Sequence, residues 1–146
     1  MNQEELKNRL EEIKDKITAI EQTTHVRVYL SCEAQNAPAV CKFLSQELGC
    51  RFVICSCIDA DDWFEVLYHF SYDRSGFIIT VKAFIRDREN PTVESVTPFL
   101  QGAEWIEREM HDVMGINFKN HPNMKRLILA DDWPEGVYPE RKEAKT

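Results

Sequence analysis

Residues 63–86 read Trp63-Phe64-Glu65-Val66-Leu67-Tyr68-His69-Phe70, then Ser71-Tyr72-Asp73-Arg74-Ser75-Gly76, then Phe77-Ile78-Ile79-Thr80-Val81-Lys82-Ala83-Phe84-Ile85-Arg86. The two outer runs alternate with period two, the signature of pleated backbone. Phe64, Val66, Tyr68 and Phe70 share one face of the first run. Phe77, Ile79, Val81, Ala83 and Ile85 share one face of the second, opposite Thr80, Lys82 and Arg86. The middle run is polar and ends in glycine, so the three segments form a hairpin. One face is packed and the other partly wet, which calls for helices on one side only. The expected class is therefore α+β in two layers.

Upstream, Leu6, Leu10, Ile13, Ile17 and Ile20 recur at steps of four, three, four and three. That stripe predicts one amphipathic helix within residues 1–22, ended by Thr23-Thr24. Val26, Val28, Leu30 and Cys32 alternate with His25, Arg27, Tyr29 and Ser31 as a half-buried strand. Asn36 is placed to cap a second helix with Pro38 in its first turn and Gly49 as its stop. Phe52–Ile58 is apolar enough to predict a central strand, broken by Asp59-Ala60-Asp61-Asp62. Downstream, Arg86 to Pro91 is a charged loop, and Ser95 is placed to cap a short turn. Ala103 to Met114 predicts a helix closed by Gly115, with Ile116 folding back on it. The expected domain is residues 1–116. Residues 117–146 hold three prolines and scattered aromatics, and read as an extended tail suited to lying on a neighbour.

The chain has 146 residues, enough for one ordinary core, and 43% of them are apolar. Lys plus Arg number 18 and Asp plus Glu 25, a net charge of −7. That balance excludes broad phosphate-backbone contact, so no nucleic acid is expected. There is no run of about 18 apolar residues and no basic or apolar leader at the N-terminus. The expectation is a cytoplasmic chain that meets a membrane only through partners. Five cysteines, an odd number without an export signal, predict reduced thiols. Cys50, Cys55 and Cys57 invite an iron–sulfur or zinc reading, but no C-x-x-C pair exists and the spacing fits neither class. Cys55 and Cys57 read instead as small buried residues on one strand face.

The chemistry concentrates in Glu107-Arg108-Glu109-Met110-His111-Asp112-Val113-Met114-Gly115 and in the segment after it. On a helix Glu104, Arg108 and Asp112 lie four apart, which predicts Arg108 between two carboxylates. Glu109 falls beside apolar neighbours and needs a cation or a hydrogen-bond donor, from Lys125, Arg126 or another chain. Glu107 and His111 lie four apart, yet the two-histidine zinc-protease pattern is absent. Paired carboxylates stand without an oxyanion motif or nucleophile. His111 and His121 have the chemistry for proton relay, but His121-Pro122 also reads as a turn that holds the tail. Packing and docking account for these residues better than catalysis does.

Glu107-Arg108-Glu109, Asp112, Val113-Met114, His121, Lys125 and Leu127-Ile128 together resemble the signature of the C-type subunit family of respiratory complex I, the proton-pumping NADH:quinone oxidoreductase. Trp63–His69 is similar to that family's strand before its hairpin, Ser95-Val96-Thr97 to its entry into the signature helix, and Asp131-Asp132-Trp133 to its acidic-Trp step. The resemblance covers residues 25–142 or so. It implies a mixed sheet of about four or five strands and a protein without flavin, quinone, iron–sulfur cluster or other cofactor, not catalytic by itself. The implied partners are a large subunit, which forms the quinone site or carries nickel–iron, and its iron–sulfur small subunit, on the cytoplasmic face of the membrane. The expected contact residues are Glu107, Arg108, Glu109, Asp112, His121, Pro122, Lys125, Arg126, Asp131, Asp132 and Trp133. The family usually continues Trp-x-Gly-x-Pro-Leu-Arg-Lys. Here Trp133 to Lys142 has extra spacing and Glu140 at the usual leucine. With its short end, that is more similar to the small equivalents in energy-converting nickel–iron hydrogenases and formate hydrogenlyase-like complexes. The complex I member proper is the alternative, and a stand-alone Cys/His metal or redox protein is the alternative of another class.

Overall fold

The computed structural model describes residues 1–145; Thr146, the end of the expected tail, lies outside the described residues. In chain order the elements are α1 (Gln3–Leu10), β1 (Ala19–Gln22), β2 (Arg27–Glu33), α2 (Ala37–Lys42), β3 (Arg51–Asp59), β4 (Phe64–Tyr72), β5 (Phe77–Ile85), β6 (Thr92–Glu94), α3 (Glu104–Met114) and β7 (Asn117–Lys119). The hairpin forms as the alternation predicts, with Phe64, Val66, Tyr68 and Phe70 opposite Ile85, Ala83, Val81 and Ile79. β2 joins β5 in parallel and β3 joins β4 antiparallel, so the mixed sheet runs β1-β2-β5-β4-β3.

Register sorts side chains into rows. Leu30, Val81, Tyr68 and Cys55 form one row on the helix-bearing face, and Cys32, Ala83, Val66 and Cys57 the next. Phe64 and Phe70 are fully buried there, each contributing about 1.5–3 kcal/mol through apolar burial. The rows on the other face are mixed, such as Tyr29, Thr80, His69 and Ile54. Helices cover one face of the sheet, giving the two-layer α+β class expected.

Three expectations fail locally. The helix predicted over 1–22 stops at Leu10, passes through a 3₁₀ stretch with a break at Ile13 (φ −120°), and becomes β1. Leu6, Leu10 and Ile13 are buried as the stripe requires, but Ile20 is half exposed and pairs with Leu30. Pairing with the backbone of β2 outweighs the helical spacing that Ile17 and Ile20 continue. Phe52–Ile58 is the sheet's edge, not its centre. Apolar content cannot separate the two positions, because α3 covers only one face of β3 and leaves Val53, Ile54 and Ile58 about half exposed. Asn36 makes no side-chain cap; the capping box lies instead at Asn2 and Glu5, ahead of α1.

Asp59, where β3 ends, ties three segments together. Its carboxylate accepts from Arg88 at 2.6 and 3.2 Å, from the Asp61 N–H at 3.0 Å and from the Lys142 N–H at 3.1 Å. The Arg88 guanidinium, helped by those two N–H groups, holds its pKa at about 2, below the ordinary 3.8. A depressed carboxyl contributes stability that is complete above its unfolded value and is lost as the pH falls through the folded one. Asp59→Asn is therefore expected to cost about 1–3 kcal/mol at neutral pH and to flatten the acid limb between about pH 4 and pH 2. Urea melts across that range check both.

Candidate functional site

α3 begins with acidic residues, Glu104 and Glu107, where the helix dipole favours negative charge, and closes on Gly115 at φ +70°. One stripe along it does the holding. Glu104, Arg108 and Asp112 are spaced four apart, as expected, but the three do not pair with one another. Arg108 donates to the Lys125 carbonyl at 3.0 Å and to the Arg126 carbonyl at 2.9 Å. One turn on, Asp112 Oδ2 accepts from the N–H groups of Leu127, Ile128 and Leu129 at 2.9, 2.9 and 3.2 Å. The helix meets carbonyls with a guanidinium and the next amides with a carboxylate. Burial pushes the Asp112 carboxyl up, but the three N–H donors outweigh it and hold the group below its ordinary value.

At the start of the helix the Glu104 carbonyl accepts from His121 Nε2 at 3.0 Å, while His121 Nδ1 accepts from the Asn123 N–H at 3.0 Å. Those two bonds define the neutral Nε2–H tautomer. At the far end Arg141 Nε donates to the Met114 carbonyl at 2.7 Å, and its guanidinium stacks on the rings of Phe64 and Tyr138. The Tyr138 ring lies where a side chain on residue 115 would go: a Cβ on Gly115 would stand 2.5 Å from it. Glycine is required there twice over, for the left-handed turn and for the ring.

The remaining sites fall as follows. Glu107 points inward and has no exposed surface; Oε1 accepts from the Val96 and Thr97 N–H groups at 2.9 and 3.2 Å and from Thr97 Oγ1 at 3.2 Å. Its Oε2 is buried without a partner. Burial pushes its pKa up, and hydrogen bonds from the Ser95–Thr97 turn bring it back only in part. Glu107, Arg108 and Asp112, three of the expected contact residues, are buried and make their hydrogen bonds within the chain. Arg126 donates to the Ala130 and Asp131 carbonyls, and Trp133 Nε1 to the Val137 carbonyl at 2.8 Å. Neither Lys125 nor Arg126 reaches Glu109, which stands half-buried with no hydrogen bond or ion pair to any described residue. Pro122, Lys125, Asp131 and Asp132 are exposed. His111, Lys125, Arg126, Trp133 and Tyr138 line a hollow of about 390 Å³ beside Asp112.

The tail is not free, either. Its first residues form β7, parallel to β6, and residues 121–141 are held on α3 through the contacts above. Arg141 and Tyr138 are structural residues that sequence reasoning missed, as is the bond that closes the Trp133–Val137 loop. Their signal is slight, since an aromatic and an arginine in a proline-rich stretch fit any loop. The cysteines are placed by burial. Cys41 and Cys55 have thiol pKa values pushed far up, and burial lifts Cys32 and Cys57 to about 12 and Cys50 to about 11. Four of the five thiols are buried and sit as small apolar side chains do.

Residues 30–146 match the model of the respiratory-chain NADH dehydrogenase 30 kDa subunit family, a span that contains the whole α3–tail constellation. The chain belongs to that family. As a member, it is 35% identical to the first C-type NADH-quinone oxidoreductase protein of Rhizobium meliloti (strain 1021), over 95% of this chain and 70% of that protein. It is 36% identical to the C-type F(420)H(2) dehydrogenase protein of Methanosarcina mazei, over 85% of this chain and 78% of that one. Its fold is similar to a chain of the archaeal membrane-bound sulfane sulfur reductase, with a TM-score of 0.84 at 24% identity, covering 96% of this chain and 83% of the other. A trypsin-resistant fragment of Nqo5 has a TM-score of 0.59 at 21% identity, covering 81% of this chain and 98% of that fragment. Among the described residues no helix of this family member is long and apolar enough to cross a membrane.

Asp112→Ala strands three backbone N–H groups and is expected to cost about 1–3 kcal/mol. The loss should be local: hydrogen exchange over residues 125–141 rises while the amides of β4 and β5 keep their protection. Gly115→Ala should displace Tyr138 and Arg141, raising exchange at the last turn of α3 in the same measurement.

Proposed function

We propose that this chain is a cofactor-free peripheral subunit of a membrane-bound, proton-translocating redox complex, and that the tail of residues 117–146 is its docking surface. The observation that carries this reading is a division of labour in the tail. Its backbone is fastened to α3 by the buried groups Arg108 and Asp112, while Leu127, Ile128 and Val137 are left about half exposed. A loop whose backbone is fixed and whose apolar side chains face out supports a contact surface, because its ordering cost is met before any partner arrives. Lys125, Asp131 and Asp132, exposed in the same segment, supply polar groups for a rim. The proposed partners are the large subunit, of quinone-site or nickel–iron type, and its iron–sulfur small subunit. In this reading the chain reaches the cytoplasmic face of the membrane only through them, and catalyses nothing alone.

Within the family, the altered spacing from Trp133 to Lys142 and Glu140 at the usual leucine support an energy-converting hydrogenase or formate hydrogenlyase-like complex. The identities to the C-type proteins of NADH-quinone oxidoreductase and F(420)H(2) dehydrogenase favour the alternative, a complex I-type dehydrogenase. Co-purification with the tagged full chain tests both levels. A nickel-containing large subunit in the eluate supports the hydrogenase type, and a nickel-free one the dehydrogenase type. Ile128→Glu, a surface change, should abolish recovery of the large subunit while the chain stays folded. Arg108→Ala should weaken recovery by releasing the tail. If Arg108→Ala assembled normally and only turnover fell, the helix would be handling protons and the docking reading would fail.

A further inference from the structure

β3 is an open edge. Its inner side pairs with β4, and no described residue outside β4 hydrogen-bonds to the backbone of residues 52–58. In an antiparallel strand alternate residues aim both backbone groups outward, so this edge presents a row of unused donors and acceptors. An irregularity in register between Phe52 and Ile54 precedes an unbroken stretch, Ile54–Asp59, where pairing is regular. Such a stretch is a ready template for one more strand.

Beside the edge runs a groove of about 370 Å³ whose walls include Cys57 of β3 and Ile106, Met110 and Val113 of α3. Helical geometry sets it on the flank of α3 away from residues 125–129, while Glu140 and Lys142 at the end of the tail help line it, the Glu140 N–H donating to the Val113 carbonyl at 3.0 Å. Arg108 and Asp112 occupy one flank of α3, Ile106, Met110 and Val113 the other, and Trp105 and Glu109 the ridge between them. On the helix-free side of the same edge Ile54 and Ile58 stand about half exposed, and Trp105 on the ridge is 68% exposed. An open edge flanked by an apolar groove under a helix is the arrangement in which extended peptides bind by strand addition, with backbone pairing for affinity and alternate side chains entering the groove.

Charge identifies the occupant. Asp59 and Lys142, which also line the groove, are already matched by Arg88 and Asp61, and Glu140, which lines it too, is exposed to solvent. Glu109 lines it half-buried with no hydrogen bond or ion pair to any described residue. A carboxylate beside apolar side chains calls for a cation.

We propose that β3 and the adjoining flank of α3 bind an extended segment of another polypeptide, which adds as a sixth strand and presents a lysine or arginine to Glu109 among apolar residues at alternate positions. This surface shares Glu140 and Lys142 with the tail but lies on the flank of α3 away from residues 125–129, and the proposal stands whichever partner docks on that segment. The test uses the ¹⁵N-labelled full chain and the synthetic peptide acetyl-Val-Thr-Lys-Ile-Leu-Thr-amide. The expected result is saturable amide shifts centred on residues 53–58 and on Ile106, Glu109 and Val113, with the outward amides of β3 gaining protection from exchange. Two further peptides, N-methylated at the odd or at the even positions, separate backbone pairing from simple apolar adsorption. One phase should bind and the other should not; equal binding by both overturns strand addition. Glu109→Gln should weaken the lysine peptide about fivefold and leave a peptide with glutamine at that place unchanged; an unchanged lysine peptide overturns the basic occupant. Shifts confined to the tail, or none at saturating peptide, overturn the site. A concentration-dependent dimer in sedimentation that perturbs residues 53–58 would make a second copy of this chain the occupant, and would overturn the proposal too.

Discussion

The grip of α3 on the backbone of residues 125–129 is the contact on which the second half of the chain depends. A guanidinium at residue 108 and a carboxylate at residue 112, one turn apart, meet two carbonyls and then three amides of a segment with no ladder of its own. Side-chain charges do here what a neighbouring strand does in a sheet. The cost of dehydrating Arg108 and Asp112 is offset because both are satisfied by several directed bonds. The ends of the segment are closed separately, by His121 on the Glu104 carbonyl and by Arg141 on the Met114 carbonyl. A stretch lacking regular structure is thereby fixed at four places along one helix and its cap.

That arrangement explains why the densest motif of the sequence is largely hidden. Glu107 faces the sheet, Arg108 and Asp112 face the tail, and only Glu109 is left partly open without a hydrogen bond or ion pair among the described residues. Glu107 places one oxygen on the Ser95–Thr97 turn and the other in a spot without a donor. Its raised pKa follows from that half-satisfied burial, and it locks the entry of α3 to the loop after β6.

The sheet was legible because period two is a local signal. Val66 and Ala83 can be assigned to the same face without knowing that they pair. The class and the cap at Gly115 were legible for the same reason. Edge and centre were not, since position in a sheet is a property of the neighbours a strand finds, and Ile54 and Ile58 carry no mark of being uncovered. The break after Leu10 was hidden because Ile17 and Ile20 continue a helical spacing that pairing between β1 and β2 overrides. At the site, spacing placed Glu104, Arg108 and Asp112 on one stripe. It could not reveal that their partners are backbone groups, because main-chain donors and acceptors are the same at every position and leave no trace in the residue letters.

The hairpin of β4 and β5 closes between near neighbours, and residues 127–129 reach Asp112 across only 15–17 residues, whereas β2 must find β5 across some fifty. Loop closure makes near contacts first and distant ones last. The pairing of β2 with β5 is therefore among the last contacts the sheet acquires, and β1, on the outer side of β2, waits on it.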